Sequence, residues 1–369
     1  MSARRPGWGT AARITLCGLL LGFAFHSIFL NEGRLAWIAG GRAWDGLSLI
    51  EQWRVAWTEG PRALWGTLLI LRPADGLWSL VFMGLTIVLG LLRWHLFLAG
   101  QGLGLPLGRT AEISFVAHFF NSLLLGSAGG DVMKAYYAAR ETHHKKAEAV
   151  MTVVVDRLIG LFATLFFAAV LMAPNRDLLA AHHRLAAVSG FVLSALLVVT
   201  LVTVLSLWGG LGRVWPRLRG WVGRLPKAQL IERSLEATRN YGRKPGILGG
   251  ALALSLMLNA ACCLQIWSLA RGLGIAVPLR WLMLIVPIVI FLSSIPITPN
   301  GLGVRENLYV WMLTVPEIGV PATSALTLSL LAFGGSLLWS LVGGIVYVGF
   351  RRKHRLGDVL HHAAESPVE

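Results

Sequence analysis

The sequence predicts an all-α polytopic integral membrane protein, with six full transmembrane helices and two re-entrant helical hairpins arranged as an inverted repeat. Three observations lead to this prediction. The composition is 55% hydrophobic and only 14% charged, which excludes an ordinary soluble domain. About eight hydropathy peaks follow one another along the chain, and two of them are interrupted by glycine, proline and polar residues. The segments that precede these two interruptions resemble each other, as the copies of an internal repeat do.

Six apolar runs approach or exceed the roughly 20 residues that a helix needs to cross a bilayer. They cover residues 14–30, 77–99, 149–172, 186–207, 247–270 and 323–350. The first run follows a cluster of arginines and looks like the start of a signal peptide, but no clear small-residue cleavage site comes after it. We therefore expect it to stay as the first span.

Residues 31–76 form an amphipathic segment between the first two spans. Five arginines and five acidic residues give it a net charge near zero, which favours the non-cytoplasmic side. Five tryptophans also fall here, and indole rings prefer the headgroup level of a bilayer. One or two interfacial helices are expected in this segment.

The distribution of basic residues sets the expected orientation. The chain carries a net charge of +15, and nine Lys or Arg lie in residues 208–245, which we interpret as a cytoplasmic connection. Residues 351–369 also begin with a basic cluster and are expected to be a cytoplasmic tail. Residues 1–350 then form a single transmembrane domain in the cell (inner) membrane, with both termini in the cytoplasm.

Two segments are predicted to dip into the membrane and return to the same face. The first is NSLLLGSAGGD, residues 121–131, after an apolar run too short to span, and we expect its helix to break at the glycines. The second is FLSSIPITPNGLGVREN, residues 291–307, which is expected to enter from the opposite face. A break at membrane depth is tolerated only where protein or a water-filled cavity satisfies the freed backbone groups.

The repeat is visible in LAGQGLGLPL at residues 98–107 and LARGLGIAVPL at residues 269–279. Inverted repeats with interrupted helices point to the substrate site of a transporter. The alternative is that such a glycine turn before an apolar run is simply a frequent interfacial turn in a glycine-rich membrane protein.

Ionisable and polar residues at these breaks are the candidate substrate-binding groups, because charge at membrane depth is costly. They are Asn121, Gly129, Gly130, Asp131, Asp156, Arg157, Asn300, Arg305 and Glu306. Arg157 and Arg305 suit a bidentate grip on phosphate, and the three carboxylates are expected to hold those cations or a cationic head group. The alternatives are ion pairs that only hold helices together and, for Asp131, a helix cap.

Several function classes receive no support from the sequence. It contains no nucleophile elbow, Walker loop, HExxH motif or dinucleotide fingerprint, so a transporter is favoured over an enzyme. We expect no cofactor and no metal site. No compact basic domain stands apart from the spans, so nucleic-acid binding is not expected.

The two hairpin motifs, with YYAAR after the first and DRLIG at residues 156–160, resemble the flippase-like transmembrane region of lysylphosphatidylglycerol synthases and its free-standing relatives. The likeness covers roughly residues 77–350. It implies a lipid-translocating role, with relatives linked to aminoacylated phospholipids, glycolipids or polyprenyl-linked sugars, and hopanoids. The sequence departs from the family in having Leu125 where proline is common. No aminoacyl-transferase domain follows the spans, so we do not expect the chain alone to synthesise aminoacyl-lipid.

The predicted function is a lipid flippase or translocator that moves an anionic or lipid-linked head group between leaflets. Its expected partners are anionic phospholipid or a lipid-linked substrate, the membrane itself and an enzyme of lipid biosynthesis. Two alternatives stay open. One is an integral-membrane transferase or accessory subunit of lipid or cell-envelope biosynthesis, and the other is a small-solute transporter.

Overall fold

The computed structural model describes residues 26, 29–30, 32–34, 36–38, 41, 43–123, 129–142, 145–181, 183–208, 236, 238–295, 298 and 301–365. Side chains are described up to residue 349, apart from residues 67–68, 122–123 and 208. The helices, in chain order, are α1 (Leu49–Leu69), α2 (Pro73–Gly100), α3 (Leu107–Leu123), α4 (Gly129–Glu141), α5 (Lys146–Met172), α6 (Arg176–Ala181), α7 (His183–Trp208), α8 (Pro245–Gly272), α9 (Leu279–Ser294), α10 (Val304–Leu313) and α11 (Ala322–Glu365). A short 3₁₀ turn, Ala173–Asn175, links α5 to α6. No strand occurs in the described ranges, so the predicted all-α class is confirmed.

Helices α2 and α8 are copies of one element. Each has 28 residues and begins with proline in its first turn, where the missing N–H costs nothing. Each ends in the same turn, with Gly102 at φ 64° and Gly274 at φ 70°, a left-handed conformation that glycine adopts without a Cβ penalty. The N–H of the residue after each glycine closes the turn. Leu103 N–H donates to Leu98 O at 3.1 Å, and Ile275 N–H donates to Ala270 O at 2.8 Å.

The two repeats run antiparallel. Each consists of a long helix, two short helices and a second long helix, α2–α5 and α8–α11. The last turn of α2 meets the segment before α8, where Lys244 Nζ donates to Gly100 O at 2.6 Å. At the other end, the Arg72 N–H donates to Gly272 O at 3.0 Å. The start of each helix therefore lies beside the end of its counterpart, which is the arrangement that an inverted repeat requires.

The short helices cross over to the other repeat. Helix α3 packs on α11, and its counterpart α9 packs on α5. The first crossing depends on two glycines, because a Cβ on Gly343 would lie 2.2 Å from Phe115 O and one on Gly344 would lie 2.9 Å from the Phe119 ring. The two repeats are thus interlocked through the first short helix of each, α3 and α9.

Five of the six expected spans correspond to helices that are long and apolar enough to cross a membrane. They are Pro73–Gly100, Lys146–Asn175, His183–Leu207, Pro245–Gly272 and Ala322–Gly349. The expected span over residues 14–30 lies almost entirely outside the described residues. The short helices α3, α4, α9 and α10 have 17, 13, 16 and 10 residues, fewer than the roughly 20 that a span needs. Their re-entrant course through a bilayer stays a prediction.

The amphipathic segment contains one long helix, α1. Its start is capped by Ser48, whose N–H donates to Glu51 Oε2 at 2.9 Å and whose hydroxyl donates to the same oxygen at 2.7 Å. These bonds lower the pKa of the Glu51 carboxyl. Helix α1 packs on α11 through Ala56 and Leu326. The indole rings of Trp53, Trp57 and Trp65 are exposed. At the other end of the chain, α11 continues as helix to Glu365, through most of the expected tail.

Candidate functional site

Three adjoining cavities lie between the two repeats, and together we call them the chamber. The central lobe has a volume of about 310 Å³, the α3 lobe about 220 Å³ and the α5 lobe about 280 Å³. Asn121 and Cys262 line both the central and the α3 lobe, whereas Arg157 lines both the central and the α5 lobe. Asp131 and Lys134 line the α3 and α5 lobes. The chamber is therefore bounded by short helices from both repeats.

Arg157 and Asp131 form the most open ion pair of the chamber. Asp131 is the third residue of α4, in the first turn, where the helix dipole stabilises a carboxylate. Its Oδ2 lies 3.4 Å from Arg157 Nη1 on α5, a distance beyond that of a good charge-assisted hydrogen bond. The Arg157 side chain is 45% exposed. The guanidinium is thus held loosely and faces two lobes.

Asp156, the residue before Arg157 on α5, also lines the α5 lobe but pairs with different residues. Its Oδ1 accepts from Arg93 Nε at 2.7 Å, and Lys134 Nζ lies 3.9 Å from its Oδ2. Arg93 also donates to Ser255 Oγ at 3.0 Å. Asp156 therefore holds Arg93 and Lys134 instead of the two predicted phosphate ligands, and this cluster joins α2, α4, α5 and α8.

Arg305 and Glu306 form the corresponding cluster of the second repeat. Glu306 is fully buried. Its Oε2 accepts the Gly303 N–H at 2.6 Å, and its Oε1 accepts from Arg305 Nε at 3.1 Å and from Ser329 Oγ at 3.3 Å. The Arg305 guanidinium lies 4.9 Å from the Phe333 ring centre and lines the central lobe, as Arg157 does. Arginines from the two repeats thus share one cavity.

Helices α3 and α4, which flank the first predicted helix break, are in close contact. A Cβ on Gly130 would lie 2.5 Å from Ala117 O, so only glycine fits there without a shift. The Gly130 N–H also points to Asn121 Oδ1 at 3.4 Å. Gly129 begins α4, while residues 124–128 and Asn300 lie outside the described part of the chain. Of the nine predicted site residues, Asn121, Gly130, Asp131, Asp156, Arg157 and Arg305 line the chamber, and Glu306 supports it from behind.

Several lining residues were not predicted from the sequence. Arg93 and Lys134 both line the α5 lobe. The spacing of Lys134, three residues after Asp131, places both on one helix face and could have identified it. Asn259 and Gln265 on α8 are buried polar residues of the chamber wall. Both are uncharged and lie inside an apolar run, so neither hydropathy nor charge distinguishes them in the sequence.

Four cationic side chains, Arg93, Lys134, Arg157 and Arg305, lie around the chamber, with three carboxylates, Asp131, Asp156 and Glu306, as their partners. These four cations exceed the three carboxylates by one positive charge. A chamber of this composition is suited to a single anionic group, since guanidinium groups bind phosphate and carboxylate oxygens in pairs.

Residues 43–344 match the family described as the lysylphosphatidylglycerol synthase TM region. The chain belongs to this family. It is also similar to a UPF0104 membrane protein of Methanothermobacter thermautotrophicus (strain ATCC 29096 / DSM 1053 / JCM 10044 / NBRC 100330 / Delta H), with 23% identity over 266 residues, which cover 65% of this chain and 74% of that protein. The resemblance noted in the sequence is thereby confirmed, and this family member is a multi-pass membrane protein.

Proposed function

We propose that this protein is a lipid translocator, in which the chamber admits the anionic head group of a membrane lipid while the acyl or prenyl chains stay in the bilayer. The observation that supports this most directly is that Arg157 and Arg305, from opposite repeats, line one cavity of about 310 Å³. The name of the family also refers to an enzyme of lipid biosynthesis.

Arg157 is the proposed primary ligand of the phosphate. Its side chain is 45% exposed and its carboxylate contact is 3.4 Å, so a phosphate can replace or join Asp131 at little cost in lost pairing. Arg305 is more firmly held, because its partner Glu306 is fully buried. It therefore contributes charge to the cavity from a fixed position.

The antiparallel repeats suggest how the head group passes between leaflets. In transporters with inverted repeats, one repeat rocks against the other around a site near the bilayer midplane. Here the short helices α3–α4 and α9–α10 come from the two repeats and meet at the chamber. We propose that they are re-entrant hairpins, that the protein lies in the inner membrane, and that both termini and the basic connection at residues 208–245 are cytoplasmic.

The test is lipid scrambling in proteoliposomes that contain fluorescent phosphatidylglycerol, with quenching of the outer leaflet by dithionite. The wild-type protein is expected to exchange the lipid between leaflets, and Arg157→Gln is expected to lower the rate at least about tenfold, since one charge-assisted contact is lost. The control is Arg62→Gln, which removes an exposed arginine of α1 that is paired with Glu59. Its rate should stay within about twofold of the wild type.

Equal rates for the wild type and Arg157→Gln, or for protein-containing and empty vesicles, would remove this assignment. The rival functions have distinct outcomes in the same preparation. A transferase releases a new lipid product when a donor is added, and a small-solute transporter gives uptake that depends on a membrane potential or pH gradient.

A further inference from the structure

A histidine of α3 lies in the wall of the chamber. His118 is partly buried and lines the α3 lobe together with Asp131 and Lys134. Its Nε2 donates to Ser336 O of α11 at 3.3 Å. Because a carbonyl can only accept, this bond places the proton of the neutral ring on Nε2, and protonation adds the second proton at Nδ1. His118 thus brings to the chamber a type of side chain whose charge changes near neutral pH.

The backbones of α3 and α4 meet beside His118 and Asp131. A Cβ on Gly130 would lie 2.5 Å from Ala117 O, and these two residues directly precede Asp131 and His118 in the chain. Both side chains line the α3 lobe, whose volume is about 220 Å³. Charges that share a small cavity inside a protein interact more strongly than they would in water. The charge of His118 therefore depends on whether Asp131 is engaged by another cation.

Helix α11, which packs against α3, brings no charge to His118. Residues 322–349 of this helix contain no Asp, Glu, Lys, Arg or His. Tyr347 of the same helix packs against the Phe119 ring. On α8, the titratable residue that lines the α3 lobe is Cys262, and a thiol is uncharged at neutral pH.

Helix α2 also packs against α3, and the residues that it contributes to the α3 lobe are uncharged. Arg93 and His95, which lie farther along α2, bond to other side chains. The charged groups that line this lobe with His118 are Asp131 and Lys134, both on α4. Lys134 opposes an imidazolium at this place, whereas a carboxylate without another partner stabilises one.

The open ion pair between Asp131 and Arg157 connects this imidazole to the head group. Asp131 Oδ2 lies 3.4 Å from Arg157 Nη1, so the carboxylate of the α3 lobe is engaged by a guanidinium. A phosphate that binds Arg157 releases this carboxylate. The released Asp131 then stabilises a protonated His118. Since each binding event favours the other, the head group and the proton bind cooperatively.

We propose that the protein is a proton-coupled translocator, in which His118 takes up one proton when the phosphate of the head group engages Arg157. The proton enters from the solvent on one side, binds at His118 Nδ1 and leaves on the other side with the head group. One singly charged lipid and one proton thus move together, and no net charge crosses the membrane. This inference rests on the proposed function and names its energy source, a pH gradient.

The first test measures proton uptake when a lipid binds. The probe is short-chain phosphatidylglycerol, because a phosphodiester lacks the second ionisation of a phosphate monoester near neutral pH. It is added to purified full-length protein in weakly buffered detergent that contains a pH indicator. We expect uptake of more than about half a proton per bound lipid at pH 7. The affinity should be about tenfold tighter at pH 6 than at pH 8, because the imidazolium forms at low pH.

His118→Gln removes the titration while it keeps a polar side chain that can donate a hydrogen bond. It should abolish the proton uptake and bring the affinities at pH 6 and pH 8 to within about twofold of each other. The matched control is His95→Gln. His95 is also partly buried, and its Nδ1 lies 3.1 Å from Thr110 Oγ1, but it lines none of the three lobes. This variant should behave as the wild type does.

The second test uses proteoliposomes with fluorescent phosphatidylglycerol. A vesicle interior one pH unit more acidic than the outside should shift the steady-state distribution at least about twofold toward the outer leaflet. Nigericin, which collapses the gradient, should abolish the shift. A potassium diffusion potential set with valinomycin should have no such effect, because the proton neutralises the charge of the phosphate.

The outcomes separate this inference from the proposed function. Lipid binding without proton uptake, or a distribution that ignores the pH gradient, would overturn proton coupling even if His118→Gln does not fold, and would leave the translocator in place. Unchanged uptake in a folded His118→Gln variant would overturn the role of His118. If phosphatidylglycerol neither binds nor exchanges between leaflets, the proposed function fails as well.

Discussion

Asp131 and Glu306 occupy equivalent positions in the two repeats. Each is the third residue of the second short helix of its repeat, α4 or α10, and each is paired with an arginine that lines the central lobe. Their surroundings differ, because the Asp131 side chain is 31% exposed whereas that of Glu306 is fully buried. The repeat therefore supplies the same kind of ion pair twice, once accessible to a ligand and once fixed in the protein interior.

Removing the charge of Glu306 should destabilise the protein. Glu306→Gln leaves Arg305 without its carboxylate in the interior, and breaking a buried pair in this way costs about 3–5 kcal/mol. Thermal unfolding in detergent measures the effect as a lower midpoint. The control is Glu59→Gln, which breaks an exposed pair and should cost no more than about 1 kcal/mol. Equal midpoints for the two variants would contradict the buried pairing.

Asp131→Asn should change the affinity for the lipid more than it changes the stability of the protein. The pair with Arg157 is half exposed, so its loss should cost no more than about 1 kcal/mol of stability. The freed guanidinium should bind short-chain phosphatidylglycerol severalfold more tightly than the wild type does, as measured by titration of the purified protein in detergent, since no carboxylate competes for it. Weaker binding would instead mean that Asp131 itself contacts the ligand.

Two glycines of the chamber wall should not tolerate a side chain. A Cβ on Gly160 would lie 2.9 Å from Arg93 Nη1, so Gly160→Val should push Arg93 away from Asp156. Gly130→Ala should separate α4 from Ala117 O. Both variants should lower the unfolding midpoint, at a cost of about 1–3 kcal/mol. Gly249→Ala is the control, because nothing lies within 4 Å of its added Cβ and alanine favours a helix.

The architecture could be predicted from the sequence because its signals are local. Hydropathy located α2 and α8, and the glycine turns at Gly102 and Gly274 revealed the repeat. The partners in the site were harder to predict, since Arg93 and Asp156 are 63 residues apart and nothing along the chain pairs them. The crossing of α3 over α11 requires the backbones of the two helices to come close together at Gly343. The hydrophobic periodicity of a sequence does not predict such contacts between distant segments.

The proposed re-entrant course of the short helices predicts from which side of the membrane their ends can be reached. If α3–α4 and α9–α10 return to the face they entered from, both ends of one hairpin must be reachable from the same side of the membrane. Single cysteines at Gly108 and Lys145 flank the first hairpin, and single cysteines at Ala276 and Glu317 flank the second. All four positions are exposed.

In a background without native cysteines, a membrane-impermeant thiol reagent should label the first pair only from the cytoplasmic side and the second pair only from the outer side, because the repeats are antiparallel. Labelling of the two ends of one hairpin from opposite sides would show that its helices cross the bilayer and would contradict the proposed re-entrant course.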